Sequence, residues 1–332
     1  MLLIKKKSRT PKTAGAEYAT RKEQNKLLSR KEKTSIFIEK AAPYMFSSAF
    51  LIAFILFFLF PFFFGIGISF FDWNLFDSSQ NEFVGFDNYV TILFNSDSIL
   101  YDYFWSGLWH TILFVIISVP LLIIVPLFIA ILLDQKPPFY RVFRIVLFLP
   151  TVFSISAVIL VWKWQFYNNG GFINSIITSL GGTEIPFLME QPWTWITILI
   201  VTIWWTMGTN MVIIGAALKN IDKTMYEAAS LDGASYPQIL LKITLPSLVP
   251  QMIIVAITTT IASFNIYGQP SLLPMIPGGP DQSTYVLMMR IRALALGTNS
   301  KPGIATAMAI CMGIIMILIS FVQSKYINKK GE

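Results

Sequence analysis

Six stretches of the chain run apolar for about the length of a membrane helix, with polar segments between them. They fall near Tyr44 to Phe71, Trp105 to Leu133, Arg144 to Phe166, Trp193 to Leu218, Leu245 to Gly268 and Gly303 to Tyr326. A bilayer core about 30 Å thick needs roughly 20 apolar helical residues. The pattern therefore predicts an all-α integral membrane protein with six transmembrane helices. Pro61, Pro120, Pro126 and Pro150 interrupt the runs. Membrane helices accept proline where neighbours satisfy the freed carbonyls, so kinks are expected there. The first stretch is far longer than a signal-peptide core and lacks an A-x-A site, which makes it a retained helix.

Composition agrees with that class. Of 332 residues, 55% are hydrophobic and 13% charged, where roughly a quarter charged is usual for a soluble domain. The mean hydropathy of +0.62 argues against a water-soluble fold. With 28 Phe, 9 Trp, 12 Tyr and one Cys, the chain is neither a disulfide-stapled scaffold nor a Cys-rich metal protein nor a disordered polar chain.

The net charge of +7 belongs to one end. Residues 1–40 hold 12 of the 25 Lys and Arg against 4 Glu, leaving 13 basic and 14 acidic groups elsewhere. A basic flank before an apolar run fits a cytoplasmic segment near an anionic leaflet rather than a nucleic-acid site. The tail is expected to be either a largely disordered flank or an amphipathic element lying on the membrane, and the run Ser35 to Ile38 speaks for the second. The first loop has no Lys or Arg and carries Asp72, Asp77, Glu82, Asp87, Asp97 and Asp102, so it faces outward. Lys136 and Arg141 mark the second loop as cytoplasmic, and the loop from Gln165 to Pro192 has no basic residue. The loop from Lys219 to Lys242 has three. Only the fifth loop, with Arg290, Arg292 and Lys301, breaks the positive-inside rule. Six spans with both termini cytoplasmic is the simplest solution.

The fourth loop carries helix signals. Asp222 can act as N-cap, Lys223 and Glu227 stand at i,i+4, Ala228 and Ala229 favour helix, and Gly233 stops it. Met225, Tyr226, Ala229 and Leu231 cannot all be hidden by so short a helix, so its own bundle or a partner must cover them.

Here the chain resembles a known family. Glu227, Ala228, Ala229, then Gly233, then Ile243 to Pro246 are similar to the EAA motif of binding-protein-dependent ABC importer permeases. The surrounding Gly215 to Leu218, Tyr226 to Ser235 and Leu245 to Pro250 resemble the carbohydrate-uptake branch, of the maltose and glycerol-phosphate permease type. So do Val84 to Tyr89, Phe264 with Asn265, and Gly278 to Pro280 with Thr284. Asp222 stands where the family often has Pro. The resemblance implies the type I ABC importer permease fold, in a prokaryotic plasma membrane. It divides the chain into a basic tail (1–43), a permease domain (44–327, coupling loop near 219–244) and a short C-terminus (328–332). It further implies that Tyr226, Glu227, Ala228, Ala229, Asp232 and Gly233 form a coupling helix seated on an ATPase subunit. The implied partners are a second permease in a heterodimer, two ATPase subunits and an extracytoplasmic solute-binding protein.

The chain has no G-x-x-x-x-G-K-[ST] phosphate loop, so it is not expected to be an enzyme. ATP and Mg are expected on the partner ATPase, with no cofactor on this chain. There is no H-E-x-x-H or Cys/His cluster, and His110 is expected to pack or hydrogen-bond at the interface. Lys163, between Trp162 and Trp164, is expected to snorkel to the membrane surface. The six stretches hold no acidic residue, which argues against a proton- or cation-coupled carrier.

A neutral sugar needs hydrogen-bonding side chains beside flat aromatic faces in a cavity between helices. Trp205, Thr206, Thr209 and Asn210 in the fourth span, and Phe264, Asn265 and Tyr267 in the fifth, supply both. Phe264 and Asn265 are similar to a sugar-contacting pair in the maltose-type relatives. Each Thr has the alternative of a bond to its own helix, and Asn265 that of an interhelical bond. Arg290, Arg292 and Lys301 either pair with acidic groups on a docking partner or anchor the interface. The expected function is the membrane-spanning subunit of a sugar or oligosaccharide importer. The alternative within the class is glycerol phosphate or another small organic solute; outside it stand an autonomous carrier or channel and a non-transporting membrane anchor.

Overall fold

The computed structural model describes residues 44, 47–74, 79, 81–297 and 300–331, with side chains to 325. The basic tail and the run Ser35 to Ile38 lie outside the described residues. Residues up to Gly65 and those from Ile66 fall into two units.

The first span is helix α1 (Ser47–Ile68). Pro61 has no N–H for the Phe57 carbonyl, and the helix widens just ahead of it into a π-helical segment, Ile55–Leu59. Phe50, Phe54 and Phe58 stack at i,i+4 along it, with ring centroids 6.0 and 5.0 Å apart.

Beyond it, β1 (Phe71–Asp72) and β2 (Glu82–Phe83) pair antiparallel, Phe71 opposite Phe83. Helix α2 (Asp87–Leu93) follows. Its Asn88 is buried and donates to the Ser69 and Phe71 carbonyls at 2.8 and 2.9 Å, locking this outer segment. Helix α3 (Ile99–Asp134) has 36 residues, about 54 Å at 1.5 Å per residue, more than the apolar core of a bilayer requires.

The third apolar stretch departs from the expected simple kink. Helix α4 (Tyr140–Phe148) tightens into a 3₁₀ turn over Leu149–Val152, and α5 (Ile155–Gln165) leaves at 104°. Pro150 removes a helical donor, Phe153 and Ser154 are extended, and the Ser154 hydroxyl accepts from the Ala157 N–H at 3.4 Å, starting a new helix. Counting this bent pair as one span, the described residues supply six.

Helix α6 (Phe172–Ser179) lies in the next loop, and α7 (Trp193–Lys219) is the fourth span. Helix α8 (Lys223–Leu231) occupies the fourth loop. Helix α9 (Tyr236–Ile239) runs through a π-helical turn, Leu240–Thr244, into α10 (Leu245–Phe264). The segment around Gly278 to Pro280 sits between α11 (Gly268–Leu272) and α12 (Leu287–Leu296) and contains one 3₁₀ turn, Pro280–Gln282. Helix α13 (Pro302–Gly331) holds the last span.

Helix α3 is the hub, packing on α7, α10, α12 and α2, while α13 packs on α10 and α12. Lipid is as apolar as leucine, so close packing and hydrogen bonds rather than burial from water hold such helices together. Two glycines in the spans serve this. A Cβ on Gly107 would stand 3.0 Å from the Leu287 Cα, and one on Gly208 would stand 2.7 Å from the Leu147 oxygen and the Phe148 Cα. Beside Gly107, the buried Thr111 hydroxyl accepts from the Leu287 N–H at 2.9 Å, so α3 caps the first turn of α12.

Candidate functional site

A cavity of about 540 Å³ opens among α3, α5, α7, α10 and the start of α11. Six of the seven residues expected to bind substrate line it: Trp205, Thr206, Thr209, Asn210, Asn265 and Tyr267. Phe264 does not. It is fully buried in a hydrophobic cluster with Phe104, Leu108 and Met308. Phe264 is the last residue of α10 and points into this core, while Asn265, the C-cap, meets the cavity.

The polar lining is partly committed. The Asn210 amide donates to the Leu122 carbonyl at 2.8 Å and to the Thr259 hydroxyl at 3.2 Å. Leu122 lies four residues before Pro126, and the missing proline N–H leaves that carbonyl without its helical donor. Asn210 therefore repairs α3 from α7. Both neighbours take its N–H groups, which fixes the amide and leaves Oδ1 as the free acceptor. Trp205 Nε1 donates to the Phe153 carbonyl at 3.1 Å, satisfying the backbone where the third span breaks. The Thr206 hydroxyl donates to the Thr202 carbonyl of its own helix at 2.7 Å, and the Asn265 amide to the Ile261 carbonyl at 2.8 Å. Thr209 is exposed and lacks a hydrogen-bond partner among the described residues.

Sequence reading missed Thr258, Thr259, Ser263 and Gln269, which also line the cavity. Thr259 and Ser263 stand at i,i+4 on α10, a signal that was available. Ile155 enters only because the third span is broken. No charged residue appears among the lining residues.

At the opposite end of the same helices, α8 forms as its signals predict. Asp222 Oδ1 accepts from the Thr224 N–H at 2.9 Å. Those hydrogen bonds hold its carboxyl below the ordinary aspartate range. Gly233 adopts φ +72°, and the Ala234 N–H reaches back to the Ala229 carbonyl at 2.9 Å, closing the C-terminus. Glu227, Ala228 and Asp232 are exposed, and Ala229 is half-buried. No ion pair joins Lys223 to Glu227 among the described residues. Leu231 is 90% exposed, an apolar side chain left for another surface to cover.

Tyr226 turns the other way. Its hydroxyl meets the buried Thr244 hydroxyl at 3.1 Å, one residue before α10. Gln135, just past α3, donates to the Tyr236 hydroxyl at 2.6 Å. The loop helix is thus tied to α10, and the segment after it to α3, and both helices line the cavity.

The remaining polar groups have local duties. The Lys163 ammonium donates to the Leu272 and Pro274 carbonyls at 3.1 and 2.9 Å, closing the end of α11 instead of only snorkelling. His110 Nδ1 lies 3.2 Å from the Tyr285 carbonyl, a hydrogen-bonding role as expected. Arg290 explains much of the exception to the charge rule. Its guanidinium lies 4.1 Å from the ring centres of both Tyr103 and Tyr285 and donates to Gln282 at 2.6 Å. Burial pulls its pKa below the usual guanidinium value, with both tyrosines opposing, and it remains charged at neutral pH.

Residues 100–330 match the family described as the binding-protein-dependent transport system inner membrane component. The chain is 30% identical to YesP of Bacillus subtilis, described as a probable ABC transporter permease protein, across 89% of this chain and 93% of that one. It is 28% identical to the arabinooligosaccharides transport system permease protein AraP of Bacillus subtilis, across 89% and 91%. Among solved structures, a chain of a bacterial ABC transporter that imports the acidic polysaccharide alginate superposes with a TM-score of 0.74 at 19% identity, covering 90% of this chain and 99% of that one.

Proposed function

We propose a function from one premise: the chain belongs to the family of binding-protein-dependent transport system inner membrane components. It is a multi-pass membrane permease subunit of an ABC importer. The proposed cargo is a sugar or oligosaccharide, carried across a prokaryotic plasma membrane. The uncharged cavity supports this reading, with hydroxyl and amide groups beside Trp205 and Tyr267. So does the cargo named for AraP.

In this reading the chain binds no cofactor, and ATP with Mg is held and hydrolysed by a partner ATPase. Helix α8 is the coupling helix. Glu227 contacts a basic group of the ATPase, Leu231 fills an apolar recess, and Tyr226 passes the displacement to α10 through Thr244. The observation that carries the proposal is this link between an exposed, doubly capped helix and a helix that lines the cavity. Closure of two ATPase subunits then moves two such helices together, and the bundles rock between inward and outward openings as rigid bodies. A second permease supplies the facing half of the pathway, and a solute-binding protein delivers cargo at the outer face.

ATP-driven uptake in right-side-out vesicles loaded with ATP, wild type against Glu227→Lys, tests the coupling. The variant should insert normally and lose ATP-driven uptake. Full uptake in Glu227→Lys removes the coupling role.

A further inference from the structure

A second cavity, of about 320 Å³, lies toward the outer face and is lined by Tyr267, Ser271, Tyr285, Met289 and Arg292 among others. Tyr267 lines this cavity and the larger one alike. The Arg292 guanidinium sits 4.8 Å from the Tyr267 ring centre. It is the only charged side chain among the lining residues.

Arg290 and Arg292 stand on the same helix and are used differently. Arg290 is held between two rings and bonded to Gln282. Arg292 is exposed, and among the described residues it has neither a carboxylate partner nor a hydrogen-bond acceptor. A guanidinium drawn to a ring by its charge keeps N–H groups available, in the planar fork that matches a carboxylate. A cation fixed by an aromatic ring, facing a cavity and unpaired, is ready to receive an anion.

We propose that the outer cavity is an anion subsite and that the cargo is a sugar or oligosaccharide bearing a carboxylate, which Arg292 receives at the mouth of the pathway. The inference rests on the sugar-permease reading above and extends it. Charge is read at Arg292, and hydroxyl pattern is read deeper, in the uncharged cavity beyond Tyr267. Tyr267 positions the guanidinium.

The test uses the assembled importer, purified with its partner permease and ATPase. Binding of uronate trisaccharides and of their neutral counterparts is measured by calorimetry for wild type, Arg292→Gln and Arg292→Lys. The proposal expects wild type to bind at least one uronate trisaccharide roughly tenfold or more tightly than its neutral counterpart, as loss of a charged hydrogen bond implies. Arg292→Gln should erase that preference and Arg292→Lys retain part of it, and added salt should weaken only the acidic ligand. If Arg292→Gln does not assemble, the Lys variant and the salt dependence decide. Equal binding of acidic and neutral sugars, or a preference that survives Arg292→Gln, overturns the anion subsite and leaves the sugar permease standing. A variant altered only in its response to the solute-binding protein overturns it in favour of a docking contact. No binding of any oligosaccharide together with no ATP-driven uptake overturns both readings.

Discussion

Asn210 offers a test of how the cavity wall is held. Its amide donates to the Leu122 carbonyl, which Pro126 has left without a helical donor, and to the Thr259 hydroxyl. Replacing Asn210 by Ala removes both bonds and leaves the Leu122 carbonyl unpaired in an apolar setting. Interhelical bonds in membrane proteins average about 0.6 kcal/mol, and an unpaired buried group costs about 1–3 kcal/mol. A loss of about 2 kcal/mol is therefore expected for Asn210→Ala. In a Pro126→Ala background the chain regains an N–H at position 126, and α3 can satisfy Leu122 itself. There Asn210→Ala should cost only the Thr259 bond, about 0.6 kcal/mol. Denaturant unfolding of the four proteins in mild detergent gives the cycle, with an expected coupling energy of about 1 kcal/mol or more. Additivity within about 0.5 kcal/mol would mean that Asn210 does not repair the proline break.

Further outcomes follow from other contacts. Gly208→Ala places a methyl group against the backbone of Leu147 and Phe148, where no side chain can yield. It should destabilise the bundle by about 1–3 kcal/mol in the same unfolding assay, and an unchanged midpoint would discount the close approach. Asn265→Ala removes a polar group from the cavity while losing mainly a bond within its own helix. Uptake should fall more than the yield of assembled complex, whereas parallel losses assign Asn265 a structural role. Tyr226→Phe cuts the hydroxyl link to Thr244. Transported molecules per ATP should drop with assembly intact, and an unchanged ratio would show that motion passes by another route.

Much of this architecture was legible because membrane insertion demands long apolar runs. Helix α8 was equally open, since Asp222 and Gly233 act through local backbone chemistry that a sequence states outright. The break of the third span was not. Pro150 announces a disturbance, but whether it yields a mild kink or a 104° turn depends on Ser154 capping a new helix and on Trp205 of α7 holding the Phe153 carbonyl. The cavity residues were largely predictable by chemistry, yet Phe264 is buried in the core while Asn265, the C-cap of α10, lines the cavity. The basic fifth loop resisted charge counting for a similar reason. Tyr103 and Tyr285, far apart in sequence, enclose Arg290.

The central claim, that α8 couples this chain to an ATPase, is tested most directly by copurification in mild detergent from native membranes, comparing a tagged wild-type chain with Glu227→Lys. The account predicts that wild type brings down an ATPase and a second six-span protein, and that the ATPase is lost or weakened in the variant while the second permease remains. Recovery of the chain alone, in a form that supports uptake after reconstitution without ATP, would contradict it.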